Sequence, residues 1–213
     1  MISGSVAETI SRFRTQDVAI AMTTSAPFKR ALTLAPPVTE PFDRAFREHA
    51  PRVARWAARL GGPTIDCDEV VQDVFVVVER RLAEFRGDGK LTTWLFRITA
   101  KIVANHHRAA RRRRLWASLT RRIEDETPSA DDLPGDALEK RESTRRFYEV
   151  MNVLPQKYRE VLTLFELEEM STEDIGRLLD TPPATIRVWL HRARQAFVTA
   201  WRRRQREDER ESI

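Results

Sequence analysis

The chain has 213 residues, 41% of them apolar and 32% charged, with a formal net charge of +5. That apolar content excludes a disordered chain, the length admits one medium domain or two small ones, and a positive balance supplied mostly by arginine makes nucleic acid the first partner to expect. The single cysteine, Cys67, excludes an internal disulfide; no zinc-type spacing, signal-peptide core or membrane-length apolar run of roughly 20 residues is present, so a soluble cytoplasmic protein without metal or cofactor is expected.

Residues 1–40 contain "TTSAP" and "APPVTEP", rich in proline and threonine, and read as a flexible leader with one short helix in "VAETISRF". From Pro41, apolar residues recur at steps of three or four through Phe42, Ala45, Phe46, His49, Val53, Trp56 or Ala57, and Leu60. Gly61-Gly62-Pro63 ends this helix, and Pro51 should kink or break it. A second helix starts at Asp66, which can cap it while Glu69 reaches back, and its inner stripe is Val70, Val71, Val74, Phe75, Val78 and Leu82. After the Gly87-Asp88-Gly89 turn, "LTTWLFRITAKIVANHHRAARRRR" forms a third helix, with Leu91, Trp94, Leu95, Ile98, Ile102 and Val103 inward and an almost purely basic far end. These helices make one module, residues 41–122.

Residues 123–142, "IEDETPSADDLPGDALEKRE", lose periodicity and are mostly acidic between two arginine-rich halves, the composition of a flexible linker. Four helical patterns follow, at 144–153, 156–168, 172–179 and from Pro182 past Trp201, giving a second module at 143–204 and a charged tail at 205–213. No stretch alternates as a strand does. The expected fold class is all-α, two small helical domains on a flexible acidic linker.

Within "STEDIGRLLDTPPATIRVWLHRAR", Ser171 and Asp174 signal a helix start, and Ile175, Leu178 and Leu179 supply its inner face. Thr181 can cap a second helix, whose first turn tolerates the two prolines because those N–H groups would be unpaired anyway. At 100° per residue, Ile186, Leu190, Ala193 and Phe197 cluster on one side, and Ala184, Thr185, Arg187, Val188, His191 and Arg192 on the other. That is the pattern of a helix-turn-helix whose second helix enters the DNA major groove, where arginine can pair with guanine and valine can meet a thymine methyl. On spacing alone, an amphipathic hairpin with a solvated arginine face stays open.

Taken together, "VQDVF", "FRG", "TWLFRI", "LPQKYREVL" and "IRVWLHRAR", in that order over roughly residues 41–201, resemble bacterial RNA polymerase sigma factors of the extracytoplasmic-function (ECF) group. The resemblance implies that the first module, region 2, grips the β′ clamp helices of core RNA polymerase and opens promoter DNA at the −10 element. The second, region 4, is implied to bind the −35 element and the β flap. Asp68, Glu69, Gln72 and Asp73 would then be the polymerase-binding patch; a solvated helix face with a favourable acidic first turn is the alternative. Phe85, Arg86, Gly87, Asp88, Gly89 and Lys101 would hold a −10 base, with Lys101 standing where asparagine is frequent in the family and unable to reproduce its paired donor and acceptor.

Trp94 is spaced as a core residue rather than a strand-separating wedge. Arg108, Arg111, Arg112, Arg113 and Arg114 would follow phosphates, a merely solubilising run being the other reading. In region 4, the resemblance assigns Arg187, Val188, His191 and Arg192 to −35 bases and Thr185 and Arg194 to the backbone. Val188 replaces a small hydroxyl residue and Trp189 a basic residue of the family. An anti-sigma partner is implied by the family's habit. A stand-alone helix-turn-helix regulator is the alternative function. No Gly-rich phosphate loop or activated nucleophile is found, and His49, His106, His107 and His191 lack a second ligand at i+4, so no enzymatic activity is expected.

Overall fold

The computed structural model describes residues 40–85, 90–119 and 135–211. The expected leader up to residue 39, the turn at 86–89, most of the expected linker and the last two residues lie outside the described residues. The elements are α1 (Glu40–Gly61), a 3-10 turn (Gly62–Thr64), α2 (Cys67–Arg81), a 3-10 turn (Leu82–Glu84) and α3 (Leu91–Leu119). Then come α4 (Gly135–Val153), α5 (Gln156–Leu162), a π turn (Thr163–Leu167), α6 (Thr172–Leu179) and α7 (Pro183–Glu211). The fold is all-α in two helical modules, α1–α3 and α4–α7, and among the described residues no helix is long and apolar enough to cross a membrane.

Helix α1 does not break at Pro51. The proline lies on the exposed side, where water can bond the Arg47 carbonyl that loses its helical partner, so the helix continues. Its inner row of Ala50, Val53, Trp56, Ala57 and Leu60 packs on Val70, Val74 and Phe75 of α2 and Leu95 and Phe96 of α3. Trp56 and Phe96 meet edge to face with centroids 5.1 Å apart. The inner stripe of α3 differs from the one its sequence suggests: Leu95 and Val103 are buried, but Trp94, Ile98 and Ile102 are only half-buried, and Phe96, Thr99 and Ala100 complete the core. The Thr99 hydroxyl donates to the Leu95 carbonyl, so a polar residue is buried without losing its bond.

Asp66 caps α2, its Oδ1 accepting from the backbone N–H of Asp68 and Glu69 at 2.9 and 3.1 Å. Glu69 does not reach back; its carboxylate lies 3.6 Å from Nδ1 of His106. Beside the cap, burial, reinforced by the charges of Asp68 and Asp66, pushes the Cys67 thiol up to about 11, so it is neutral at physiological pH.

In the second module α4 begins at Gly135, so residues 135–142, expected as linker, are helical. The expected tail is helical as far as Glu211: Arg203 pairs with Glu207, and Arg204 with Asp208 and with Glu149 of α4. Phe147 and Tyr148 of α4, Val161 and Leu162 of α5, Ile175 of α6 and Ile186, Leu190, Ala193 and Phe197 of α7 form its core. Across the modules, Gly62 adopts φ +66 directly under the Tyr148 ring, where a Cβ would stand 2.4 Å from ring carbons.

The turn between α6 and α7 rests on another glycine. The Gly176 carbonyl accepts the N–H groups of Asp180, in the left-handed conformation at φ 53, and of Thr181. Thr181 does not cap α7. Its hydroxyl donates back to the Leu179 carbonyl, while the Pro182 carbonyl accepts from Thr185 and Ile186, because with the helix starting at Pro183 threonine stands one residue too early. A Cβ on Gly176 would lie 2.7 Å from the Thr181 carbonyl oxygen, a backbone atom unable to swing aside. Gly176→Ala gains about 1 kcal/mol of helix propensity but incurs an overpacking cost of about 1–3 kcal/mol. A lower urea midpoint with an unchanged m-value is expected, and a raised midpoint would show that the turn has slack.

Candidate nucleic-acid interface

Helix α7 is anchored by a row of buried apolar residues, Ile186, Leu190, Ala193 and Phe197, and this row decides what its other side presents. Ala184, Arg187, Val188, His191 and Arg192 are exposed and Thr185 half-exposed, as the spacing predicts, with Val188 48% exposed. An apolar side chain that open, between arginines and a histidine, suits a thymine methyl in a groove.

The basic residues of α7 divide by partner. Arg187 pairs with Glu173 of α6 at 3.2 Å. Arg194, expected at the DNA backbone, is turned inward: its Nε and Nη2 donate to Glu166 Oε1 at 2.9 and 2.7 Å, and its guanidinium lies 5.1 Å from the Phe165 ring centroid. The π turn places both partners, so Arg194 fastens α7 to it. Arg192 has no carboxylate within 4.0 Å among the described residues. His191 lies 3.1 Å from the amide of Gln195, one turn on.

On the first module, Phe85 and Trp94 bring their rings to 5.5 Å at the start of α3, beside residues 86–89. Arg86, Gly87, Asp88 and Gly89 lie outside the described residues. Lys101 is exposed, and with it an outer row formed by Arg97, Asn105, Arg108 and Arg112 at steps of three and four; Arg111 and Arg113 flank it, and the side chain of Arg114 is outside the described residues. Arg97 and Asn105 are absent from the sequence-derived set, although stepping four residues back and forward from Lys101 reaches both. Asn105 accepts from Arg108, which orients that guanidinium.

Asp68, Glu69, Gln72 and Asp73 are all exposed on α2. His106 from α3 stands over two of them, Nε2 lying 2.9 Å from Asp73 and Nδ1 3.6 Å from Glu69. It ties the acidic face to the helix bearing the basic row, a contact that spacing within either helix could not reveal. His107 bonds the Leu60 carbonyl, and among the described residues no group of three or more His, Cys, Asp or Glu side chains is arranged to hold a metal ion.

The modules meet where both sets of residues converge. Arg97 donates to the Leu179 carbonyl at 3.2 Å and lies 3.8 Å from Asp180, while the Thr93 hydroxyl donates to the Arg177 carbonyl. Beside them Glu168, at the end of the π turn and only 7% exposed, is held by Arg55 and Arg59 of α1 at 2.9 and 2.8 Å. A cleft of about 500 Å³ lined by Arg52, Lys90, Thr93, Asp174 and Arg177 opens next to this clamp.

Two family models match, sigma-70 region 2 over residues 45–113 and sigma-70 region 4 over residues 144–197. The chain is 31% identical over 167 residues to the RNA polymerase sigma-H factor of Pseudomonas aeruginosa, covering 73% of this chain and 83% of that protein. It is 30% identical over 154 residues to the ECF RNA polymerase sigma factor SigE of Mycolicibacterium smegmatis, covering 72% of this chain and 59% of that protein, less than two thirds of its length. Among solved structures, the sigma factor RpoE from Bartonella quintana, in complex with the anti-sigma factor NepR, is similar at a TM-score of 0.49 and 20% identity, over 77% of this chain and 98% of that one.

Removing the clamp carboxylate leaves Arg59, 13% exposed, buried without a counter-charge, whereas Arg55 is 54% exposed and water replaces most of what it loses. Glu168→Ala is expected to cost about 1–3 kcal/mol. It should also raise the radius of gyration in solution scattering as the modules separate. An unchanged radius would mean that the remaining contacts, Gly62 against Tyr148 and Arg97 and Thr93 against the end of α6, hold the modules without the clamp.

Proposed function

The chain belongs to the ECF sigma factors of the sigma-70 family, and from that membership we propose that it directs core RNA polymerase to promoters by reading a −10 and a −35 element. The observation that supports this most is that one chain presents two exposed basic helix faces, Arg97–Arg112 on α3 and Arg187–Arg192 on α7, each backed by a buried apolar row. A free-standing regulator has no use for the first of these, nor for a region 2 match.

In this proposal Asp68, Glu69, Gln72 and Asp73 dock on the β′ clamp helices, the second module meets the β flap, and catalysis is left to the polymerase. An anti-sigma protein that covers the docking face belongs to the same proposal, on the family's habit. Phe85 beside Trp94 supplies an aromatic platform for a base leaving its stack, a step costing a few kcal/mol, and Lys101, Arg86, Gly87, Asp88 and Gly89 are assigned to the same −10 contact on the family's pattern. Arg108 and Arg111–Arg114 follow phosphates. On α7, Arg187, Val188, His191 and Arg192 read the −35 element and Thr185 touches its backbone, while Arg194 keeps the helix in place.

Reading both elements requires the modules to part. The elements lie about 25 base pairs apart, about 85 Å at roughly 3.4 Å per pair. In the closed arrangement Arg97 of the −10 face touches the helix-turn-helix turn itself. The fifteen residues between α3 and α4 reach about 50 Å when extended, which, added to the breadth of two modules, suffices. Docking on polymerase therefore breaks the Glu168 clamp.

Reconstitution with core polymerase should yield initiation at promoters of the parent genome, and a chain that never initiates would refute the proposal. In that assay Arg192→Ala should cost about 1–3 kcal/mol and relax preference at one −35 position, whereas Arg112→Ala should weaken binding alike on all sequences and lower its salt dependence. Equal behaviour of the two variants would show the division into base and phosphate roles to be wrong.

A further inference from the structure

A helix about 10–12 Å across, lying in a groove about 12 Å wide, has a phosphate wall along each flank. On α7 the residue 100° round from Val188 is Trp189, half-buried and uncharged, so that flank carries no cation of its own at this level. The neighbouring helix supplies one. Lys157, exposed in the first turn of α5, holds its ammonium 5.6 Å from the Trp189 ring centroid and 5.3 Å from that of Tyr158. Both distances are within cation–π range, so a side chain with four rotatable bonds is kept on the α7 flank rather than sweeping through solvent.

The surrounding charges make this position distinctive. Arg187 and Arg194 are already matched by Glu173 and Glu166. Glu160, the nearest acid along α5, accepts from Gln156, and among the described residues no carboxylate comes within 4.0 Å of the Lys157 ammonium. The rings attract the cation without neutralising it, so its charge remains available to an anion arriving from the groove side.

We propose that Lys157 is a phosphate-contacting residue of the −35 interface, positioned by Trp189 and Tyr158 and providing from α5 the charge that α7 lacks at residue 189. The inference rests on reading α7 as the −35 helix. Lys157 contacts backbone alone, since it sits beside the reading face and not on it. It adds affinity without sequence preference.

The test uses the full chain bound to core RNA polymerase. Wild-type protein first selects from a pool of random 30-base-pair duplexes; one enriched duplex and its scrambled counterpart are then titrated at several salt concentrations with wild type, K157Q and K157R. K157Q should bind both duplexes more weakly, keep the ratio between them, and reduce the slope of log affinity against log salt by about 0.9. Between about 50 and 200 mM salt the wild-type complex then weakens about 3- to 4-fold more than the K157Q complex. K157R should restore the slope. Enrichment by wild type with an unchanged slope in K157Q overturns this inference alone, and so does a changed ratio between the duplexes, which would mean that Lys157 only props α7. If wild type enriches nothing, the −35 reading of α7 fails and this inference with it.

Discussion

The second module depends on the burial of one row of four side chains. A helix turns by a fixed 100° per residue, so once Ile186, Leu190, Ala193 and Phe197 are sealed against α4, α5 and α6, the side chains between them have no freedom to choose a face. Val188 and Arg192 are exposed because their neighbours are buried. The same row sets the crossing of α6 and α7, which only glycine at 176 permits, since the turn folds a backbone oxygen back to where a side chain would begin. The outer face proposed to read bases is thus a by-product of core packing.

Charge in this protein serves two purposes that its composition does not separate. Some arginines are scaffold: Arg194 with Glu166, Arg204 with Asp208 and Glu149, and Arg55 and Arg59 with Glu168 join elements far apart in the chain. Others, such as Arg112 and Arg192, stand in solvent on helix faces with no carboxylate within 4.0 Å among the described residues, and Lys157 is held on aromatic rings that leave its charge intact. The net charge of +5, 37 basic against 32 acidic side chains, is the same whichever of them pair, so it does not tell these two uses apart.

The π turn at Thr163–Leu167 ties these purposes together. It is followed by Glu168 as its C-cap and by Glu169 at φ 56, and the turn and its cap direct acidic residues to different neighbours, Glu166 to α7 and Glu168 to α1. One irregular turn and its cap thus both fix α7 and join the modules. The closure combines the Glu168 ion pairs and the polar contacts of Arg97 and Thr93 with apolar packing such as Gly62 against Tyr148, and its ionic and polar part can be exchanged for water and for a partner's charges. Such a joint suits the proposed separation of the modules on two distant elements.

What was legible in the sequence was whatever has a local cause. Apolar periodicity located the helices, Asp66 and Ser171 marked two helix starts, and the outer face of α7 followed from its inner one, because each depends on residues within one or two turns. The local rules misjudged Pro51, Thr181 and the exact stripe of α3, where exposure, a one-residue offset and a half-buried tryptophan on Phe85 settled the matter. They were silent on partners: Arg194 finds Glu166 across 28 residues, and Arg55 finds Glu168 across 113. The sequence by itself determined the elements and their faces, since a helix's period is a property of its own backbone. Only the tertiary structure decided which charges are spent on each other and which remain for DNA, because that depends on distances between elements, which no stretch of chain contains.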